Sequence, residues 1–441
     1  MYMPVTRKIK MSIELAFGLV ALFASAAIGI PVALAIITGV VVYLGVGGQD
    51  LAIAGETMVQ RLFDGFLLLA VPLFIVSANI MNAGTISDRL LAFCVAMVGR
   101  FRGGLGHVNV VASLIFSGMS GSAVADAAGI GKIIIDMMVK SKRYTRGYAA
   151  AITAATATIG PIIPPSIPMV LYALVSNTSI GDLFLAGIVP GLVMGGVLML
   201  MNTWMSHRRD FGKEEPVPLR ALPKITARAT PALLMPVILL TCIYSGVTTP
   251  TEAAAIAALY ALVVAAGLYR TIRIKTLYHV FVDSARSAAS VGLVIGASMI
   301  LTYVVIQENI PNAISVFLDG ADISPLAFLL AVNLFVLVLG CILDATVIIL
   351  VIVPLFIPTC KLLGIDLVHF GVLVVVNSMI GLITPPYGIL LFVINAVTGI
   401  PLKEIIREIW AFLGILMAAL MLMILWPDMV LWVPRLFGYQ G

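Results

Sequence analysis

Residues 116–168 read FSGMSGSAVADAAGIGKIIIDMMVKSKRYTRGYAAAITAATATIGPIIPPSIP, and two places within them cannot be continuous helix. At Ser117-Gly118-Met119-Ser120-Gly121-Ser122, small polar residues interrupt an apolar run. Gly160-Pro161-Ile162-Ile163-Pro164-Pro165 carries three prolines, each of which removes a backbone donor and clashes with the preceding turn. In lipid, non-helical backbone survives only where protein buries it or where it lines a wet cavity. The two breaks are therefore expected to face each other across something hydrated.

Composition puts these breaks in a membrane. Hydrophobic residues make up 61% of the chain and charged ones 11%, against about 25% charged in soluble domains. Apolar stretches able to cross about 30 Å of hydrocarbon recur from end to end. The expected fold class is an all-α polytopic membrane protein. The longest polar stretch, His207 to Arg228, is expected to be a loop. The net charge of +5 resides in short inter-helix loops, where Lys and Arg report topology and give no sign of nucleic acid. Cys94, Cys242, Cys341 and Cys360 lack metal spacing and read as small buried hydrophobes. His107, His207, His279 and His369 form no ligand cluster. The basic start followed by an apolar run at 12–29 reads as a first span or anchor, because no convincing cleavage site follows.

Outward from the opening stretch, charge decides topology. Arg100 and Arg102 precede residues 104–139, and Lys140, Lys142, Arg143 and Arg146 follow them. Both ends are therefore expected inside. Each arm has only about 16 residues before the polar tip, short of a full crossing. A hairpin turning within the membrane is the expected form. Upstream, apolar segments occupy 12–29, 32–46 and 65–83, and the amphipathic stretch from Ile86 to Arg102 reads as an interfacial helix. Downstream, Thr249 and Glu252 flank Pro250 as a capping box, so Glu252 reads as a cap and not as a catalytic carboxylate.

The second half repeats this order with reversed flanking charge. Residues 326–360 are bounded by Asp319, Asp322 and Asp366, with Lys361 the lone basic residue, so their ends are expected outside. They are interrupted at Gly340-Cys341-Ile342-Leu343-Asp344-Ala345-Thr346, and a second proline break follows at Gly381-Leu382-Ile383-Thr384-Pro385-Pro386. From Gly118 to Gly160 is 42 positions, and from Gly340 to Gly381 is 41. Paired discontinuous helices in two inverted halves are the sequence sign of a secondary transporter whose sites lie where the halves meet.

The tips have the chemistry of a hard-cation site. Hydroxyls of Ser117, Ser120, Ser122, Thr156 and Thr158, with carbonyls freed at Gly118, Gly121 and Gly160, are oxygen ligands, and Pro161 withholds an N–H beside them. The mirrored set is Gly340, Asp344, Thr346, Asn377, Ser378, Gly381 and Thr384. Half-helices expected to start near Ser122 and Pro386 aim positive dipole ends inward and favour an anion. Ser122, Asp126, Thr158, Ser166, Ser378 and Pro386 are the candidates for touching that anion. Asp126 and Asp344 sit at the tips, where an ionisable group is a functional candidate. Each small residue also has a plain alternative in close helix packing. Cation-coupled uptake of an organic anion is the chemistry these groups suit.

SGSAVADAAGIG (120–131), GPIIPPS (160–166), TPTEAAAIAALYAL (249–262) and TPP (384–386) resemble the large membrane subunit of tripartite ATP-independent periplasmic (TRAP) transporters, the DctM-like family. The resemblance spans nearly the whole chain. It implies a fold of the ion transporter superfamily, with inverted repeats, two re-entrant helical hairpins and elevator-type movement. It implies symport of sodium, as a transported coupling ion bound at two sites or more, with a carboxylate substrate such as a four-carbon dicarboxylate or sialic acid. The sodium sites would fall at Ser117, Gly118, Ser120, Gly121, Ser122, Thr156, Gly160 and Pro161 in one half. In the other they would fall at Gly340, Asp344, Thr346, Asn377, Gly381 and Thr384. The implied partners are a small four-helix membrane subunit and a periplasmic substrate-binding protein, in a bacterial inner membrane.

The implied organisation is as follows: N-terminal scaffold helices at 1–83, an interfacial arm helix at 84–103, a transport half with the first hairpin at 104–206, a basic loop and scaffold helices at 207–305, a second arm at 306–325, a transport half with the second hairpin at 326–426, and a C-terminal tail at 427–441. The rival of the same fold is a stand-alone cation-coupled carboxylate carrier or ion antiporter. A passive channel would not need matched broken helices. An intramembrane enzyme is disfavoured by the lack of HExxH, paired carboxylates or a Ser–His arrangement.

Overall fold

The computed structural model describes residues 12–64, 69–83, 86–214, 217–310 and 323–441, and these are helical with short connections. The first half contains α1 (Ile13–Ala27), α2 (Val32–Val46), α3 (Ala52–Asp64), α4 (Ala70–Ala83), α5 (Ile86–Val98) and α6 (Gly104–Ser120). It continues through α7 (123–140), α8 (Arg146–Ala157), α9 (Ile167–Ser176) and α10 (Ile180–Arg208). The second half contains α11 (Leu222–Tyr244), α12 (Pro250–Leu268), α13 (Ile274–Gln307), α14 (Pro325–Gly340) and α15 (Ala345–Leu362). It ends with α16 (Leu367–Gly381), α17 (Ile389–Thr398), α18 (Leu402–Leu425) and α19 (Pro427–Leu436). Six described helices are long and apolar enough to cross a membrane, namely α10, α11, α12, α13, α15 and α18. The chain is a multi-pass membrane protein.

Local chemistry sets the helix ends. Thr249 accepts from the Glu252 amide while the Glu252 carboxylate accepts from the Thr249 amide, completing the expected capping box of α12. Ser122 and Asp344 cap the second arms of the two hairpins, accepting from Ala125 N and Thr346 N. Each of those arms contains a π-helical turn, at 127–131 and 348–352. The spacing from Ala127 to Ile348 equals that from Gly160 to Gly381, so the inserted turns occupy equivalent places in the repeat.

Packing shows the repeat directly. First-half α8 lies against second-half α18, while second-half α16 lies against first-half α10. Likewise α9 meets α15 and α17 meets α7. The same exchange relates α4 on α12 to α13 on α2. Each contact has its partner under interchange of the halves, as an isologous two-fold demands. One hydrophobic core runs through both halves, and a smaller cluster joins α2 to the C-terminal end of α13. Such a two-fold would put the start of α1 outside, whereas Arg7, Lys8 and Lys10 argue by charge for the inside. Those three residues lie outside the described residues.

Several boundaries move. The stretch from His207 to Arg228 is not all loop, because α10 runs to Arg208 and α11 begins at Leu222. The last scaffold helix of the expected 207–305 region runs past its end, over Ile274–Gln307, 34 residues and about 51 Å at 1.5 Å per residue, so it projects beyond the hydrocarbon. The C-terminal segment 427–441 is not merely a tail, since it holds the amphipathic α19. Most of the expected second arm, 311–322, lies outside the described residues.

Candidate functional site

The first tip turns at Gly121, which holds φ +58° at the end of α6. A side chain there would be strained, and its Cβ would lie 2.6 Å from the Pro165 carbonyl oxygen. The tip therefore packs directly on its own half's proline break. The second tip does the same by another route. A Cβ on Gly381 would come within 2.7 Å of the Gly340 Cα, so the ends of α16 and α14 cross backbone to backbone. Gly388 N donates to Cys341 O (3.1 Å), tying the chain beyond the second break to the tip. The Pro164–Pro165 and Pro385–Pro386 peptide bonds are both cis.

Both tips open on one cavity of about 420 Å³. Ser120, Gly121, Ser122 and Pro161 reach it from the first half, and Asp344 and Thr346 from the second. Behind the first tip lies Asp126, 3% exposed. Ser120 Oγ donates to its Oδ1, while Oδ2, set beside Gly160, has no partner. An equivalent stratum of buried amides and hydroxyls joins hairpin to broken helix in each half. Asn109 of α6 donates to Thr153 Oγ1 (2.6 Å) and accepts from Thr156 Oγ1 (3.0 Å) of α8. Asn377 of α16 donates to both the backbone O (2.6 Å) and Oδ1 (2.9 Å) of Asn333 in α14. Asn377 Oδ1 is left buried without a partner. Each half thus keeps one orphaned acceptor oxygen near its break.

A sequence model of the family described as "Tripartite ATP-independent periplasmic transporter, DctM component" matches residues 19–429. The chain belongs to this family. Three relatives bear out the DctM membership. The sialic acid TRAP transporter large permease SiaM of Vibrio cholerae is 39% identical, covering 85% of this chain and 88% of the relative. The 2,3-diketo-L-gulonate permease YiaN of Escherichia coli is 35% identical, covering 92% and 95%. The C4-dicarboxylate permease DctM of Pseudomonas aeruginosa is 40% identical, covering 85% and 88%. A crystal structure of the YdaH transporter of Alcanivorax borkumensis, noted for its unusual topology, shares the fold with a TM-score of 0.64 at 15% identity. It covers 86% of this chain and 89% of that one. As a DctM component, the chain is a transporter subunit and not an enzyme.

Not every residue singled out in this DctM chain reaches the cavity. Ser117 donates to Leu114 O (2.6 Å), and Gly118 packs on Pro236 of α11. Thr158, Ser378 and Thr384 spend their hydroxyls on their own helices, bonding Ala155 O, Val374 O and Ile380 O. Ser166 caps α9 and donates to Pro161 O. None of these lines the cavity, nor does Pro386. The half-helix expected near Pro386 begins at Ile389, because Gly388 at φ +53° still turns the chain. Conversely, Asn79 of α4 and Ser287 of α13 line the cavity from the other side and went unnoticed in the sequence. Asn109, Thr153 and Asn333 were also passed over, although an amide inside an apolar helix is itself a signal.

Proposed function

We propose that this chain is the large membrane subunit of a sodium-coupled symporter that imports an organic acid anion into a bacterium across the inner membrane. One observation carries the reading. Two hairpin tips, one from each inverted half, meet at a single cavity and bring the hydroxyls of Ser120, Ser122 and Thr346 and the Asp344 carboxylate to it. Sodium is a hard cation that such oxygens suit. The unpartnered Oδ2 of Asp126 and Oδ1 of Asn377 are buried acceptors that would each gain a partner on binding it. The helix starts at Ser122 and Asp344 present free backbone N–H groups to the substrate carboxylate. By family, a separate periplasmic protein delivers the substrate and a small four-helix subunit buttresses this one. Residues 104–206 and 326–426 move together against the remaining helices, carrying the cavity across the bilayer as an elevator.

The test is uptake into proteoliposomes holding this chain, the small subunit and the binding protein. Uptake is expected only with an inward sodium gradient, and only with the binding protein outside. Uptake that survives replacement of sodium by choline refutes the coupling. Full uptake without the binding protein favours a stand-alone carrier.

A further inference from the structure

Away from the cavity, a basic notch forms where α5 packs on α11 and α11 on α12. Beyond Arg228, α11 carries no charge as far as Tyr244, and residues 253–269 of the next helix and its end carry none either. Arg228 and Tyr269 therefore mark the edge of the hydrocarbon on two antiparallel neighbours. A hydrogen bond sets them at one depth, with Tyr269 Oη donating to Arg228 O (2.6 Å). Tyrosine at such an edge sits at headgroup level. Over its ring lies Arg89 of α5, with the guanidinium carbon 3.8 Å from the ring centre.

Arg89 is half-buried, yet among the described residues no carboxylate lies within ion-pair distance of it, the exposed Asp88 beside it in the chain included. A charge withdrawn from water without a counter-charge is costly. Stacking on an aromatic face engages the plane of the guanidinium and leaves N–H donors at its edge, a fork that fits two oxygens of a phosphate. Lys224 stands one turn from Arg228 on the same side of α11. Arg270 and Arg273 follow Tyr269 directly, and all four of these cations are exposed. A surplus of Lys and Arg on the inner side is general. What distinguishes this place is an arginine fixed over a tyrosine at the hydrocarbon edge, with cations from two other elements around the same ring. Basic pockets between membrane helices on that side take phosphate headgroups. We infer that the notch binds the phosphodiester headgroup of an anionic phospholipid of the inner leaflet. Arg89 grasps the phosphate, and Lys224, Arg228, Arg270 and Arg273 hold positive charge around it.

The full chain, stripped of lipid in a neutral detergent, tests this by titration with dioleoyl phosphatidylglycerol, dioleoyl phosphatidylcholine or inorganic phosphate. The readouts are the unfolding temperature and the lipid retained in native mass spectrometry. Phosphatidylglycerol is expected to raise the unfolding temperature saturably and to stay bound, with an apparent affinity at least tenfold tighter than that of phosphatidylcholine. Arg89→Gln should weaken it at least tenfold, since the paired charge-assisted bonds are lost. Arg273→Gln, at an exposed position, should weaken it about fivefold and serves if the first variant does not fold. Lys403→Gln removes an exposed cation at the start of α18 and should change the affinity less than twofold. Equal binding of the two lipids overturns the inference. Equal affinities in Arg89→Gln, or in Arg273→Gln where that variant replaces it, and Lys403→Gln also overturn it, because they reduce the notch to diffuse surface charge. Stabilisation by inorganic phosphate at the same concentrations assigns the notch to a soluble anion and overturns the lipid. Release of phosphatidylglycerol on adding the small membrane subunit makes the notch a protein interface and overturns it as well. None of these outcomes bears on the transport reading.

Discussion

On the proposed function, Asp126 is the residue on which sodium coupling turns. It is buried, one oxygen is held by Ser120, and the other faces the Gly160 break unpaired. Asp126→Asn keeps the shape but removes the charge, and a charge-assisted contact is worth about 1.5–3 kcal/mol. The sodium concentration giving half-maximal uptake should therefore rise by roughly ten- to a hundredfold. An unchanged sodium dependence would remove Asp126 from the ion's surroundings. Glu252, by contrast, is a cap, and Glu252→Gln should leave the uptake rate unaltered. At this scale Ser120, Ser122, Asp344 and Thr346 were legible, because polar residues interrupting an apolar run are conspicuous. Asn79 and Ser287 were not. A single amide or hydroxyl gains its meaning only from what lies opposite, and that is a tertiary fact.

Among the elements, the crossing of α14 and α16 is the tightest contact. Gly381→Ala drives a methyl group against the Gly340 backbone, which cannot swing aside as a side chain would. A loss of about 1–3 kcal/mol in stability is expected, read as a lowered unfolding temperature. Gly414→Ala, in α18 with open space around it, is the control and should be neutral or slightly stabilising. Equal losses at both positions would show that the crossing is looser than described. The hairpins, breaks and capping box could be foreseen because glycine, proline and charge mark them locally. The amphipathic α3 and α19 were missed, since each mixes charge into a short apolar pattern. The start of α17 was misplaced because the turn does not end with the prolines but continues to Gly388.

For the whole molecule, the reciprocal packing makes the two hairpin-bearing segments one body, while α4 and α13 form the wall beside it. If that body slides, fixing it to the wall must stop transport. Cysteines introduced at Ala128 and Val291, which line the cavity from the hairpin arm α7 and from α13, can be joined by a cleavable bifunctional thiol reagent. The four native cysteines should first be replaced by alanine. Cross-linking is expected to abolish uptake, and reductive cleavage to restore it. Undiminished uptake in the cross-linked protein would rule out the sliding movement. The interchange of partners between halves was not legible in the sequence, since the repeat in residues says nothing of which copy each helix touches.

That interchange has a consequence during synthesis. The helix α8 leaves the ribosome on the order of 250 residues before α18, its principal neighbour, so at ~5–20 residues per second it waits for roughly ten to fifty seconds. For that interval the face of α8 that α18 will cover, including the side of Tyr148 that packs on Phe412, stands open. The nascent first half must be sheltered by the insertion machinery until the last helices arrive, and a chain truncated before α18 should be cleared by membrane proteases instead of accumulating.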